Sequence, residues 1–251
     1  MEKKMFCYQC EQTAGCTGCT GNAGVCGKKA DTAKLQDELT GALIGLTRAV
    51  DGAETISTKT GQIILEGLFT TVTNVNFDNA AIENMIQKVR AEKERLVPDC
   101  SKCQAPCGRT DDYDMQQLWN ADEDIRSLKS LILFGIRGMA AYAYHANVLN
   151  YEDAEVDHFF CEALFKIGYE ESVETLLPTV LKVGEINLKC MALLDKANTE
   201  TYGTPEPTDV TLTIEKGPFI IVTGHDLRDL QLLLEQTEGK GINIYTHGEM
   251  L

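Results

Sequence analysis

Five cysteines, Cys7, Cys10, Cys16, Cys19 and Cys26, crowd into the start of the chain, where glycine also stands at 15, 18, 21, 24 and 27. Cys7 and Cys10 form a C-x2-C pair, whose two thiolates can reach one metal centre from a single tight turn. Cys16, Cys19 and Cys26 are then three candidates for the remaining two positions. Four thiolates suit an iron–sulfur cluster or a zinc ion. Closely spaced glycines let the backbone wrap and aim N–H groups at sulfur, which favours an anionic cluster more than it favours zinc. Iron–sulfur is therefore the leading expectation, zinc the next, and a disulfide or a ligand-free loop the last. With four protein thiolates such a cluster has no open coordination position, so its work is electron transfer.

The compartment expected for these thiols is a reducing one. The chain opens on Met1-Glu-Lys-Lys4 and runs straight into cysteines, and no apolar run approaches the roughly 20 residues that span a bilayer. A cytoplasmic location without a membrane partner is expected, where clustered cysteines are more often metal ligands than disulfides. The formal net charge of −15, spread along all 251 residues, argues against nucleic acid as a partner. With 43% hydrophobic and 24% charged residues, the chain has the composition of a folded protein.

Helices must carry the cysteine loop. Asp31 stands where an N-cap would, and Leu35, Leu39, Leu43, Leu46 and Val50 follow at helical spacing, so a helix is predicted over about 31–50. Ile64, Leu65, Leu68, Phe69 and Val72 predict a second, and Ile82, Ile86 and Val89 a third, entered through Asn76-Phe-Asp-Asn79. Ile125 to Met139 mark a long helix, and Val156 to Ile167 another that Gly168 can end. A sixth is expected over 172–197, interrupted at Pro178.

These segments make residues 1–209 a helical bundle domain, and the fold class is mainly α. At Tyr202-Gly-Thr-Pro-Glu-Pro-Thr-Asp209 the texture changes to a linker. Beyond it, Gly217–Gly224 predicts a strand, His225–Thr237 a helix and Ile242–Thr246 a second strand, the start of an α/β, Rossmann-like domain over 210–251. One β-α-β unit does not cover both faces of its sheet, so the domain reads as incomplete, and a further half or a separate chain is expected to complete it.

The motifs Met5-Phe-Cys-Tyr-Gln-Cys10 through Cys26, Glu66–Asp78, Cys107–Met115 and Val222–Leu251 resemble, in order, the N-terminal half of the hybrid cluster proteins, also called prismane proteins or hydroxylamine reductases. The resemblance covers essentially the whole chain. It implies that Cys7, Cys10, Cys19 and Cys26 bind a cubane [4Fe-4S] cluster, with [2Fe-2S] belonging to longer spacings, and that Cys16 falls outside the ligand set. It further implies that His225 and Glu249 are the first ligands of a hybrid [4Fe-2O-2S] cluster whose cysteine ligands lie in later domains. The function it implies is electron relay from the cubane to the hybrid cluster, where hydroxylamine is reduced to ammonia, or nitric oxide is reduced in defence against nitrosative stress. A redox partner protein would donate the electrons. The alternative is a truncated electron-transfer or scaffold module without its own catalytic centre.

The placement of His225 and Glu249 also has a physical rationale, since open α/β sheets bind ligands beyond the carboxyl ends of their strands. Imidazole and carboxylate are harder ligands than thiolate and suit iron that exchanges oxygen species. Without the resemblance, a helix-capping His225 and a solvated Glu249 would be the simpler reading. Cys100, Cys103 and Cys107 lack an evident fourth ligand and read as a structural or redox loop, and Cys161 and Cys190 as small core residues. His145, near a helix end, reads as structural and His158 as surface or core; for His247, two residues before Glu249, a supporting role beside the second centre is the lesser alternative.

Overall fold

The computed structural model describes residues 5–10, 18–50, 56–72, 76–97 and 111–250. Cys16 and the cysteines at 100, 103 and 107 lie outside them. The architecture is mainly α, with one small parallel sheet.

Among the described residues seven helices come first: α1 Ala30–Ala49, α2 Thr58–Thr70, α3 Asn79–Leu96, the short α4 Met115–Trp119, α5 Glu123–Asn147, α6 Ala154–Tyr169 and α7 Val173–Tyr202. Their apolar stripes meet in one core. Leu39, Leu43 and Leu46 of α1 are buried with Ile64 and Leu68 of α2, Ile82 and Val89 of α3, Ile132 and Ile136 of α5, and Phe159 and Phe160 of α6. Cys161 and Cys190 belong to this core, as their spacing predicts, and burial pushes the Cys190 thiol up to about 12.

Three boundary expectations are corrected. The residue capping α1 is Lys29; Asp31 sits inside the first turn, where its carboxylate accepts from the Thr32 amide and from Asn79 Nδ2 at 3.0 Å. Gly168 does not end α6. It stays helical because a close crossing needs it: a Cβ there would stand 2.4 Å from Ile44 Cγ2. Pro178 does not interrupt α7, which runs through it for 30 residues; the proline falls early, and packing of Leu176, Ile186, Cys190 and Ala197 outweighs its single lost hydrogen bond. Where the caps are polar they behave as expected: Ser57, Asp78, Asp153 and Ser172 each accept from amides in the first turn that follows.

Charged pairs, some of them buried, tie the helices together. Glu92 of α3 is fully buried and accepts from Thr60 Oγ1 of α2 at 2.8 Å, from Arg95 and from Lys59, and the Arg95 bonds above all hold its carboxyl down at about 2. Asp112 joins Arg90 at 2.6 Å and Lys93, while Arg90 also reaches Glu38 of α1.

Asp157 on α6 is the opposite case. Burial first, then Glu152 and Asp153, raise its carboxyl from 3.8 to about 6. A raised carboxyl favours the fold when protonated, so its favourable share is complete below 3.8 and is lost as pH rises through about 6. Asp157→Asn is therefore expected to raise the melting temperature at pH 7.5 by several degrees, from about 2 kcal/mol after allowance for solvent screening, and to leave it unchanged at pH 4. Thermal melts at the two pH values check this; equal shifts at both would show that the charge is not responsible.

Beyond α7 come β1 Phe219–Ile221, α8 Leu227–Thr237 and β2 Asn243–Tyr245, followed by a 3-10 turn, Gly248–Met250. The strands pair in parallel with Ile220 opposite Ile244, so the predicted β-α-β unit forms. Leu212, Ile214, Phe219 and Ile221 remain exposed, and no residue of α8 is buried.

Candidate metal centre

The segment entering the cysteine loop is fixed to the helical core by aromatic packing. Phe6 and Tyr8 set their rings edge-on to Trp119 of α4, with centroids 6.1 and 5.7 Å away. Met5 is buried with Ala33 of α1, and Gln9 Nε2 donates to Asp37 Oδ1 of α1 at 2.5 Å.

Cys7, held between these anchors, pairs with Cys19. Each donates its N–H to the other's carbonyl, at 3.0 and 2.8 Å, in an isolated antiparallel bridge. Residues directly opposite in such a bridge present their side chains to the same side, so the two thiols stand as neighbours. Both are buried, and both are free thiols. Gly18 makes this approach possible: its φ is +89°, and a Cβ would lie 2.9 Å from the Phe6 ring.

Cys26 sits on a tight hairpin in which Ala23 bridges Lys29 and Gly24 N donates to Lys28 O at 2.8 Å, directly ahead of α1. Cys10 and Cys26 are both half-buried free thiols. The structure thus brings Cys7 beside Cys19 and puts Cys10 and Cys26 on flanking turns. Among the described residues no three His, Cys, Asp or Glu side chains gather around one point as a single metal ion would require.

The electrostatics around Cys7 involve residues that carried no motif. Burial raises the Cys7 thiol, and the Lys28 ammonium opposes that rise. Burial pushes Asp37 up to about 6, held back by Gln9, Arg137 and Lys28. Burial also lowers the Arg137 guanidinium to about 10, against the pull of Asp37 and Cys7, which leaves it charged at neutral pH. Sequence spacing could not find Asp37, Trp119 or Arg137, because only the helix packing brings them under the loop. Lys28, two residues after Cys26, was within reach of a search for cations flanking ligands.

The second predicted pair lies at the carboxyl ends of the strands. His225 follows β1, His247 follows β2, and their rings meet edge to face with centroids 4.6 Å apart. The backbone of Glu249 lies in the 3-10 turn, which Met250 N closes on His247 O at 3.0 Å. His225 does not cap α8. Asp226 does, accepting from the amides of Arg228 and Asp229, and its other oxygen lies 2.9 Å from His145 Nδ1, so His145 ties the end of α5 to the start of α8. His158 is exposed on α6. A cleft of about 1070 Å³ bordered by residues 210–215 and by β2 reaches His247.

A cysteine loop of this kind, followed in order by the later motifs, matches one family model over residues 5–251, that of the Prismane/CO dehydrogenase family. The chain belongs to that family. Prismane-family proteins are iron–sulfur proteins, and the free thiols of Cys7 and Cys19, side by side and shielded from water, form a donor pair suited to such a group. Among curated relatives, a hydroxylamine reductase of Porphyromonas gingivalis is 44% identical over 100% of this chain and 49% of its own length. One from Thermodesulfovibrio yellowstonii is 46% identical over 98% of this chain and 49% of its own, and one from Methanocella arvoryzae 44% over 98% and 50%. This prismane-family chain therefore spans about half the length of the relatives it matches. No helix among its described residues is long and apolar enough to cross a membrane.

Proposed function

We propose that this chain is the N-terminal part of a hybrid-cluster protein, in which Cys7, Cys10, Cys19 and Cys26 hold a [4Fe-4S] cluster. His225 and Glu249 begin the ligand set of a second, hybrid iron–sulfur–oxygen centre where hydroxylamine is reduced to ammonia, or nitric oxide is reduced instead. The observation that carries this reading is the backbone bridge that sets the Cys7 and Cys19 thiols next to each other under cover. When bound, the first cluster supplies one-electron transfer, with electrons drawn from a redox partner protein.

The chain's own residues do three things in this scheme. The Phe6, Tyr8 and Trp119 rings and the Gln9–Asp37 bond hold the loop on α1 and α4, so that its thiols are pre-positioned. The buried setting of Cys7 and Cys19 excludes water from the sulfurs. At the other end, the parallel pairing of β1 and β2 sets His225 and His247 in contact, and His247 orients the His225 ring. The exposed Leu212, Ile214, Phe219 and Ile221 support a reading in which the further half of a full-length family member covers this unit and brings the remaining ligands.

Metal analysis after anaerobic purification tests the proposal. About four irons and four sulfides per chain are expected, rising to about eight irons when the C-terminal half is supplied. A colourless, zinc-loaded protein would overturn it. A count of about four with and without the C-terminal half would favour an electron-transfer module lacking its own catalytic centre.

A further inference from the structure

Two cations near the cysteine loop are buried with, among the described residues, one carboxylate between them. Lys28 is 2% exposed and Arg137 is 4% exposed, in a chain whose acidic residues outnumber its basic ones. Arg137, on α5, donates through Nε to Thr71 Oγ1 at 3.1 Å and through Nη2 to Thr40 Oγ1 at 2.8 Å, both neutral acceptors. Its Nη1 is buried with no partner. The Lys28 ammonium has no hydrogen bond or ion pair to a described residue, although its charge acts on Cys7 and Asp37. One half-buried carboxylate, Asp37, faces both cations, and Gln9 already occupies one of its oxygens.

A charge taken out of water without a counter-charge is costly, so two buried cations that share one half-buried carboxylate call for a further buried anion. The described carboxylates include only Asp37 in that role. The charge that both cations feel besides Asp37 is that of Cys7. Four thiolates around iron and sulfide carry net negative charge, and one more negative charge after reduction, which makes such a group the anion that fits. The described thiols, when neutral, do not supply it.

We propose that Lys28 and Arg137 are the buried counter-cations of the thiolate-bound cluster, setting its reduction potential by stabilising the reduced, more negative form. This rests on the iron–sulfur reading of the loop. Both are positioning residues: they act through charge on a group held by other side chains. Arg137 lies on α5, more than a hundred residues beyond the loop in the chain, and its bond to Thr40 ties it to α1.

The test is an anaerobic redox titration of the full chain followed by electron paramagnetic resonance, with iron and sulfide assayed on the same samples. Lys28→Met and Arg137→Met are each expected to shift the reduction equilibrium toward the oxidised form by about tenfold, which is about 59 mV for one electron. Lys28→Arg and Arg137→Lys are expected to stay near the parent. An unchanged midpoint in both methionine variants at parental iron content overturns the inference and leaves the cluster reading standing. Absence of iron from the parent itself overturns that reading instead. If a methionine variant loses its cluster while keeping its helical circular dichroism, recovery in the charge-conserving variant supports the counter-cation role, and failure to recover overturns it.

Discussion

Cys7→Ser is expected to lose its bound iron and acid-labile sulfide by at least about tenfold while keeping the helical fold. Serine preserves the backbone bridge to Cys19, which uses only main-chain N–H and C=O groups. The packing of the Phe6 and Tyr8 rings on Trp119 is likewise untouched. What changes is one buried sulfur into a hydroxyl, a far harder and more weakly acidic donor that iron in a sulfide cluster accepts poorly. Loss of a mere supporting hydrogen bond around a metal costs 10- to 100-fold in affinity, so a whole ligand sets a lower bound of that order. Iron and sulfide assays beside far-ultraviolet circular dichroism check the result. Parental iron content in both Cys7→Ser and Cys19→Ser would show that this bridge does not present the ligands.

Gly41→Ala, away from every proposed ligand, is expected to cost about 3 kcal/mol and to lower the melting temperature by roughly 6–12 °C. Gly41 lies on α1 where residues 111–114 cross it; Tyr113 N donates to Gly41 O at 2.9 Å, and a Cβ at Gly41 would stand 2.2 Å from the Tyr113 carbonyl oxygen. A backbone oxygen cannot rotate aside as a side chain can, so the crossing segment itself must lift. With it would move the Asp112 pairs to Arg90 and Lys93 and the start of α4, whose Trp119 supports Phe6 and Tyr8. Gly138→Ala on the exposed face of α5 is the control: nothing lies within 4 Å of the added methyl, so alanine is expected to stabilise by about 0.5–1 kcal/mol through helix propensity. Thermal melts of the pair decide it, and equal effects at the two positions would sink the steric argument.

Much of the helical layout was legible in the sequence because an amphipathic helix records its buried face as a 3.6-residue stripe. Leu39, Leu43 and Leu46 announce α1 before any partner is known, and Phe159, Phe160 and Leu164 announce α6. The boundaries were less legible. Lys29 caps α1 and Pro178 rides inside α7, since neither outcome follows from local preference once packing against neighbouring helices outweighs it. The four-residue approach to α4 and the five-residue helix itself leave too short a stripe to read.

The candidate centre divides in the same way. Cysteine spacing points to Cys7 and Cys10 and leaves Cys16, Cys19 and Cys26 as candidates for the rest, which the family resemblance narrows to Cys19 and Cys26, while Gly18, with its left-handed φ, marks one turn, because thiol chemistry and left-handed φ are properties of single residues. Strand patterning likewise sets His225 and Glu249 after the two strands. Only the tertiary structure decides that Cys7 faces Cys19, that His247 meets His225, and that Asp37, Trp119, Lys28 and Arg137 lie under the loop. Arg137 and Trp119 are far from the loop in the chain, and even for Lys28, close by in sequence, the charge a buried cation exerts on a thiol depends on distance and on exclusion of water, neither of which a linear order of residues contains.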